Sequence, residues 1–454
     1  MKVSWVLTLT VLAVFAVQVA GQAGEPRQGL GLGLAQAVDA ALENHPSAKA
    51  SRLGIEQARN RAAEARAQRA PKISVSETVT RGNNPVFVFG SLLEQAQFGP
   101  ANFDLPTLNN PASLTNFRTV LSADFPVFDG MKTSARVAQA RIGNDVALLQ
   151  SQTAEQQVRF EVLRNYFGLV LAETALDVAE SALRTAEADV ARARDRVDAG
   201  LTVESDLLAA QVQFAEFKQQ CIQAEGQRAT ALAMLNVAMG AGSTTPRALT
   251  LRLLPKTFDV VGPDELISRA LLHRPDYRQS ESGIEIADRR ISEQRSAYLP
   301  DLNAFASLGS SQRNLSTGST DYTIGAGAKF TLLDRSRPAK VAQAQVDKRL
   351  AETERDRLSD ALRIEVVSAY YRYRAAEQQV DVADAALTQA VEGLRIVQNR
   401  YDAGLTTVTE MLRAETAVVR ARMNVAVSGH GQYLGYATVL LSVGELNDVR
   451  AFEP

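Results

Sequence analysis

Chemistry needs reactive side chains in clusters, and this 454-residue chain offers few. Its three histidines, His45, His273 and His430, stand far apart, and the first two lie at or near prolines that open helices, where a structural role suits them. Cys221, the only cysteine, sits on a helix beside Ile222 and reads as packing, so no disulfide framework exists within the chain. The zinc-protease pattern HExxH, the CxxC pair and the phosphate-cradling GxxxxGK[ST] are all missing. The GLGLGLA run at 29–35 has no strand before it and reads as linker, and the methionines form no cluster for a soft metal. Neither an enzyme nor a cofactor is expected.

What remains is a group of carboxylates around a pentapeptide that occurs twice, in RVDAGLTVESDLL at 196–208 and RYDAGLTTVTEML at 400–412. Asp198 and Asp402 belong to the turns themselves, Asp198-Ala199-Gly200-Leu201-Thr202 and Asp402-Ala403-Gly404-Leu405-Thr406. Gly200 and Gly404 suit a positive φ, which glycine adopts without a Cβ penalty. Asp206 and Glu410 fall in the first turn of the helix that follows, where an acid complements the helix dipole by about 0.3–1 kcal/mol. Thr407-x-x-Glu410 also fits a capping box. Val203 at the matching place leaves Asp206 outside that explanation.

These turns punctuate a duplicated chain. Pro46 and Pro71 match Pro275 and Pro300 at an offset of 229, and everything from Tyr166 to Gly240 matches Tyr370 to Gly444 at an offset of 204. Most of the lost register falls between residues 71 and 125, where the first half carries an extra Asn/Pro/Phe-rich stretch that reads as a long loop. The proline-free runs 131–245 and 339–453 are rich in Ala, Glu, Arg and Gln and favour helix. The reading places helices at 34–44, 47–70, 132–198 and 203–239, repeated at 263–273, 276–299, 338–402 and 407–443. Residues 246–262 link the repeats, 24–245 and 263–444, and 445–454 form a tail. Val162, Leu169, Leu176, Leu183, Val190 and Val197 recur every seventh residue, with alanines three positions after three of them, as in a coiled-coil seam. A helix over 132–198 is about 100 Å long at 1.5 Å per residue, and the two short helices stacked end to end nearly match it. Each chain therefore supplies four helical columns.

Between short and long helices lie four alternating segments, 72–80, 117–127, 301–309 and 322–332. Each is close to the length a tilted strand needs to cross a bilayer. They read as two hairpins, at the opposite end from the DAGLT turns. Four strands cannot close a barrel, and an open sheet cannot sit in lipid, so a membrane role demands several chains. The N-terminus, with one Lys, an apolar run from Val3 to about Ala20 and then small residues, reads as a signal peptide over 1–23, cleaved among 20–24. Charge is nearly balanced, 49 basic against 51 acidic residues, so no nucleic-acid partner is implied.

The chain resembles the TolC family of outer-membrane efflux proteins. The resemblance is carried by the paired hairpins YFGLVLAE…RVDAGLTVESDLLAAQ and YYRYRAAE…RYDAGLTTVTEMLRAE, the ALENHP and ALLHRP segments, the FPVFDG strand end and the NNPVFVFG stretch, and spans about 34–444. It implies an α+β membrane protein: a homotrimer in the bacterial outer membrane with a 12-stranded β-barrel and a 12-helix periplasmic α-barrel. It also implies a periplasmic adaptor and an inner-membrane pump or ABC transporter as partners, outer-membrane lipid as surroundings, and service as a passive exit duct for efflux or type I secretion. The turns would then form the periplasmic mouth where the adaptor docks. The family's gate acid matches Glu410, and Asp206 in the first copy, while its second acidic position is Arg413 here. The latch tyrosine is kept as Tyr401, but its basic partner has become Thr406. We expect Asp206 and Glu410 to narrow the mouth and favour cations. A periplasmic coiled-coil scaffold or adaptor without a pore would share the leader and hairpins, but not the paired strands.

Overall fold

The structure, a computed structural model, describes residues 31–251, 256–314 and 317–453. The expected signal peptide lies outside these residues.

Two helices of 67 residues dominate, α5 (Lys132–Asp198) and α9 (Ser336–Asp402). Each turns back into a 35-residue partner, α6 (Glu204–Ala238) and α10 (Val408–Ser442). The shorter α2 (Pro46–Ala67) also packs on α5, and α8 (Pro275–Arg295) on α9. Two caps, α1 (Leu34–Asn44) and α7 (Pro263–His273), precede α2 and α8. Across the repeats, α5 touches both α8 and α10. The columns therefore stand in the order α2/α6, α5, α8/α10, α9.

Glycines make the end-to-end stacking possible. Gly240 and Gly444 end α6 and α10 at φ +68° and +76°, and a Cβ on either would lie 2.9 Å from the backbone of Asn44 or Arg274, at the α1–α2 and α7–α8 junctions. Only a residue without a Cβ can take that conformation and that contact together. The core lies at this level. Tyr166, Phe167, Val366, Tyr373 and Tyr433 pack there with Leu34, Phe258 and Phe452. The hydroxyls of Tyr166 and Tyr373 donate to the carbonyls of Leu32 (2.8 Å) and Phe258 (3.0 Å). The described parts of the linker and tail are thus packed, with Val260, Leu446 and Phe452 buried in or against this cluster.

The seam differs from expectation toward the turns. On α5 the buried line there runs Ala179, Ala182, Ala186, Asp189, Ala193, while Leu176, Leu183 and Val190 are half-exposed. Alanines let neighbouring backbones approach, which moves the larger residues to the flanks.

The four strands are β1 (Lys72–Gly82), β2 (Leu114–Asp129), β3 (Asp301–Asn314) and β4 (Thr317–Lys329). They form one antiparallel sheet in that order, not two separate hairpins, because β2 pairs with β3 across the repeats. All run beyond the expected outer ends, but β4 stops at Lys329, short of 332, since its partner β3 begins at Asp301. The short helices likewise end early, α2 at Ala67 and α8 at Arg295.

The insertion is not a loop. It folds into α3 (Pro85–Glu94), a 3₁₀ turn at Pro100–Phe103 and α4 (Leu105–Asn109). Asn84 caps α3 by accepting from the Phe87 amide at 3.3 Å, and Pro85 supplies the preset φ of a first helical residue.

Candidate functional site

Two regions can act: the paired turns and the sheet. At both turns the long helix ends in the same motif. Gly200, at φ +72°, donates to the Val197 carbonyl at 2.9 Å and Leu201 donates to Arg196 at 2.8 Å; Gly404, also at φ +72°, donates to Tyr401 at 3.0 Å and Leu405 to Arg400 at 2.8 Å. This is the Schellman arrangement, with glycine in the left-handed position. It reverses the chain and leaves Leu201 and Leu405 exposed at the extreme end. Asp198, Ala199, Asp402 and Ala403 are exposed beside them, and Thr202 and Thr406 are half-buried.

The structure pairs some of the sequence-derived residues and separates others. Glu410 accepts a 2.9 Å ion pair from Arg413, one turn along the same exposed helix face. Its amide donates to the Thr407 hydroxyl at 3.4 Å, so the acid is capped and charge-paired at once. Asp206 instead accepts from the Thr202 hydroxyl. Among the described residues no hydrogen bond or ion pair joins Asp206 to Glu410. Tyr401 packs on Val408, Met411 and Leu412, and the Arg196 guanidinium lies over its ring, 4.5 Å from the centroid. Arg196 belongs to the other repeat, whereas Thr406 stands two places after Gly404.

Sequence reasoning missed a second group behind the turns. Asp189 of α5, Gln213 of α6 and Glu415 of α10 are buried where the two hairpins meet. Arg192 pairs with Asp189, and Gln213 donates to Glu415 at 3.3 Å. Asp189 Oδ2 and Glu415 Oε1 have no hydrogen-bond partner among the described residues. Burial, and then the neighbouring Asp189 carboxylate, push the Glu415 carboxyl up to about 8, against a smaller pull from Arg192. A proton held here neutralises one of two carboxyls that could not both ionise cheaply. The signal was an acid in a buried stripe otherwise made of alanine.

The sheet has two unlike faces. Directly paired residues share a face, so Val75, Leu121, Leu308 and Tyr322 form one row, and Ala123, Ala306 and Ile324 continue Ile73 in the next. The opposite face carries Ser74, Ser122, Ser307 and Thr323, then Thr78, Arg118, Ser311 and Ser319. On the first face Glu77, Thr119, Ser310 and Thr320 follow as a polar row toward the β1–β2 connection, and a band of apolar rows backed by polar ones is the pattern of a barrel wall between lipid and an aqueous lumen. No helix among the described residues is long and apolar enough to cross a membrane.

Both outer edges are open. β1 and β4 each lack one neighbour, and exposed apolar residues gather on the two edge columns: Leu208, Val212, Ile222 and Val237 on α6; Ile364, Tyr371 and Val382 on α9. Two edges that differ suit head-to-tail contacts between copies, which form a ring where the rotation closes.

Comparison with known proteins agrees with this geometry. The chain is 24% identical over 405 residues to the pyoverdine export outer membrane protein OpmQ of Pseudomonas putida, covering 86% of this chain and 81% of that one. It is 21% identical over 458 residues to the outer membrane efflux protein BepC of Brucella suis, covering 96% and 90%. Its fold matches the crystal structure of the Campylobacter jejuni CmeC outer membrane channel with a TM-score of 0.78 at 17% identity, covering 98% of this chain and 96% of that one. The sequence model of the outer membrane efflux protein family matches residues 37–241 and 266–429, and the chain therefore belongs to that family.

Proposed function

We propose that three copies assemble into a passive exit duct through the outer membrane, receiving substrate from an inner-membrane pump through a periplasmic adaptor. The single observation that carries this reading is the coincidence of open edges: β1 stands on the same side as α2/α6, and β4 on the same side as α9. One set of subunit contacts then closes barrel and helical tube together. Three four-stranded sheets make a 12-stranded barrel, with its apolar rows toward lipid and its serine rows toward the lumen.

The DAGLT turns are the periplasmic end of that duct. Leu201 and Leu405 offer the adaptor two apolar knobs per chain, at the tips of hairpins of equal length. Arg196, Tyr401, Asp206, Glu410 and Arg413 surround the mouth, where α5 and α9 must part for it to open. The cargo is set by the pump, since the lumen rows bear small hydroxyls rather than a shaped pocket.

Purified protein in a planar bilayer tests the reading. Stepwise conductance from a detergent-extracted trimer is expected. Lys in place of Val75, on the lipid face, should block assembly, at a cost of about 2–4 kcal/mol near the bilayer midplane, whereas Lys in place of Ser122 is tolerated. A water-soluble monomer without conductance would end the proposal.

A further inference from the structure

The insertion between β1 and β2 lies on the wrong side of the sheet for an external ornament. Glu94, the last residue of α3, accepts from Arg118 at 2.9 Å and from the Ser311 hydroxyl at 3.2 Å, and Arg118 also reaches Asp321 at 3.5 Å. Gln95 donates to Asn116 at 2.8 Å. Asn116, Arg118, Ser311 and Asp321 all belong to the polar face. Arg118 stands four residues inside the end of β2, about 14 Å down the strand at 3.4 Å per residue. Asn116 and Ser311 are buried beneath the insertion. The helix therefore enters the barrel.

Its two faces differ. Val88, Ser91 and Gln95, spaced three and four apart, are buried, Gln95 against Asn116 of the sheet. Val86 and Leu93 point the other way, 82% and 52% exposed, with Gly90 between them. An apolar helix stripe facing the axis of an aqueous lumen is unfavourable unless something covers it. Symmetry supplies the cover.

Twelve strands about 4.8 Å apart and tilted about 40° enclose a backbone cylinder roughly 24 Å across. Three mutually touching rods about 10 Å wide, the lower width of a helix with side chains, fit a circle of roughly 22 Å. The wall's own inward side chains take up part of that width, so three copies of α3 leaning inward at one level are forced into contact.

We propose that the α3 helices of the three copies meet on the barrel axis through Val86 and Leu93, forming an apolar constriction at the exit that is anchored to the wall by Glu94, Arg118 and Asp321. This rests on the trimeric channel reading. The occupant of the exposed stripe is the same stripe of the sister copies, and the interface continues the one made by the open edges of β1 and β4. The duct then closes at two ends by different means: coiled hairpins below, and a dewetting plug above.

The experiment uses the full-length trimer with Cys221→Ser as background. Leu93→Cys and Val86→Cys should each give a disulfide-linked dimer on a non-reducing gel after mild oxidation. Leu93→Asp, at an exposed position, should assemble normally and raise single-channel conductance by about twofold or more, because charge rewets an apolar constriction. A conducting trimer that cross-links at neither position, or whose conductance Leu93→Asp leaves unchanged, overturns the constriction and spares the channel. Failure of the parent protein to form a trimer or to conduct overturns both.

Discussion

The guanidinium of Arg196 lies 4.5 Å above the ring centre of Tyr401, joining the end of α5 to the end of α9. The residues come from different repeats, so the contact exists only while the two hairpins stand together at the turns. A cation–π contact at an exposed site is worth about 0.5–1 kcal/mol, a factor of roughly two to five in an equilibrium. Arg196→Ala should shift each copy by that much toward the parted state. Single-channel recording should show higher mean conductance in Arg196→Ala and in Tyr401→Ala, with Tyr401→Phe close to the parent because the ring remains. Equal behaviour of Tyr401→Phe and Tyr401→Ala would remove the ring from the latch.

In the proposed duct, the acids at the turns that are not already paired should set ion preference. Glu410 shares its charge with Arg413, whereas among the described residues Asp206 is held by a hydroxyl and no cation. Asp206→Asn should therefore reduce cation preference more than Glu410→Gln, and Arg413→Ala should raise it by freeing Glu410. Reversal potentials across a salt gradient read this directly. The differences should shrink in 1 M salt, where the screening length falls to about 3 Å. No change in the Asp206→Asn/Glu410→Gln double variant would exclude both acids from the pore.

The buried Glu415 makes packing near the mouth pH-dependent. Its carboxyl is raised to about 8 by burial and by Asp189. Below about pH 4, near the ordinary glutamate value, the group is protonated whether packed or released, and its contribution is fully present. As pH rises toward 8, the released state gains by ionising while the packed state holds its proton, so the packing weakens across that window. Above 8 the packed group ionises beside Asp189 and the loss levels off. Hydrogen exchange of the amides from Met411 to Val418 should report falling protection between pH 5 and 8 after correction for intrinsic rates. In Glu415→Gln the profile should be flat. Parallel profiles in the two proteins would rule out Glu415 as the titrating group.

The helices were legible because a long proline-free run of helix formers ended by Asp-Ala-Gly-Leu-Thr has one local solution. Pairing of β2 with β3 was not, since Leu121 and Leu308 meet from opposite repeats, far apart in sequence, and no local pattern specifies that register. The helix α3 carried its own signal in Asn84-Pro85, a cap followed by a first-turn proline, yet the surrounding Asn and Pro concealed it. At the site, the turn residues were visible as a repeat. Arg196 was not, because its partner is reached through space, whereas Asp189 could have been noticed as the one acid in an alanine stripe.

The glycines that end the return helices should matter more than those at the tips. All four have positive φ, a conformation that costs a residue with a Cβ about 1–2 kcal/mol. At Gly200 and Gly404 nothing lies within 4 Å of an added Cβ, so alanine there meets only the backbone term. At Gly444 the Cβ would stand 2.9 Å from the Arg274 Cα, and at Gly240 2.9 Å from the Asn44 carbonyl group, atoms that cannot swing aside. Overpacking of that kind adds about 1–3 kcal/mol. Gly444→Ala would also disturb the bond from Gln156, which donates to the Gly444 carbonyl at 2.7 Å in the central core. Trimer yield and thermal resistance in detergent should therefore fall sharply for Gly240→Ala and Gly444→Ala, and only slightly for Gly200→Ala and Gly404→Ala. If the tip variants proved as damaging as the core ones, the stacking of short helices through these glycines would not be what holds the columns in line.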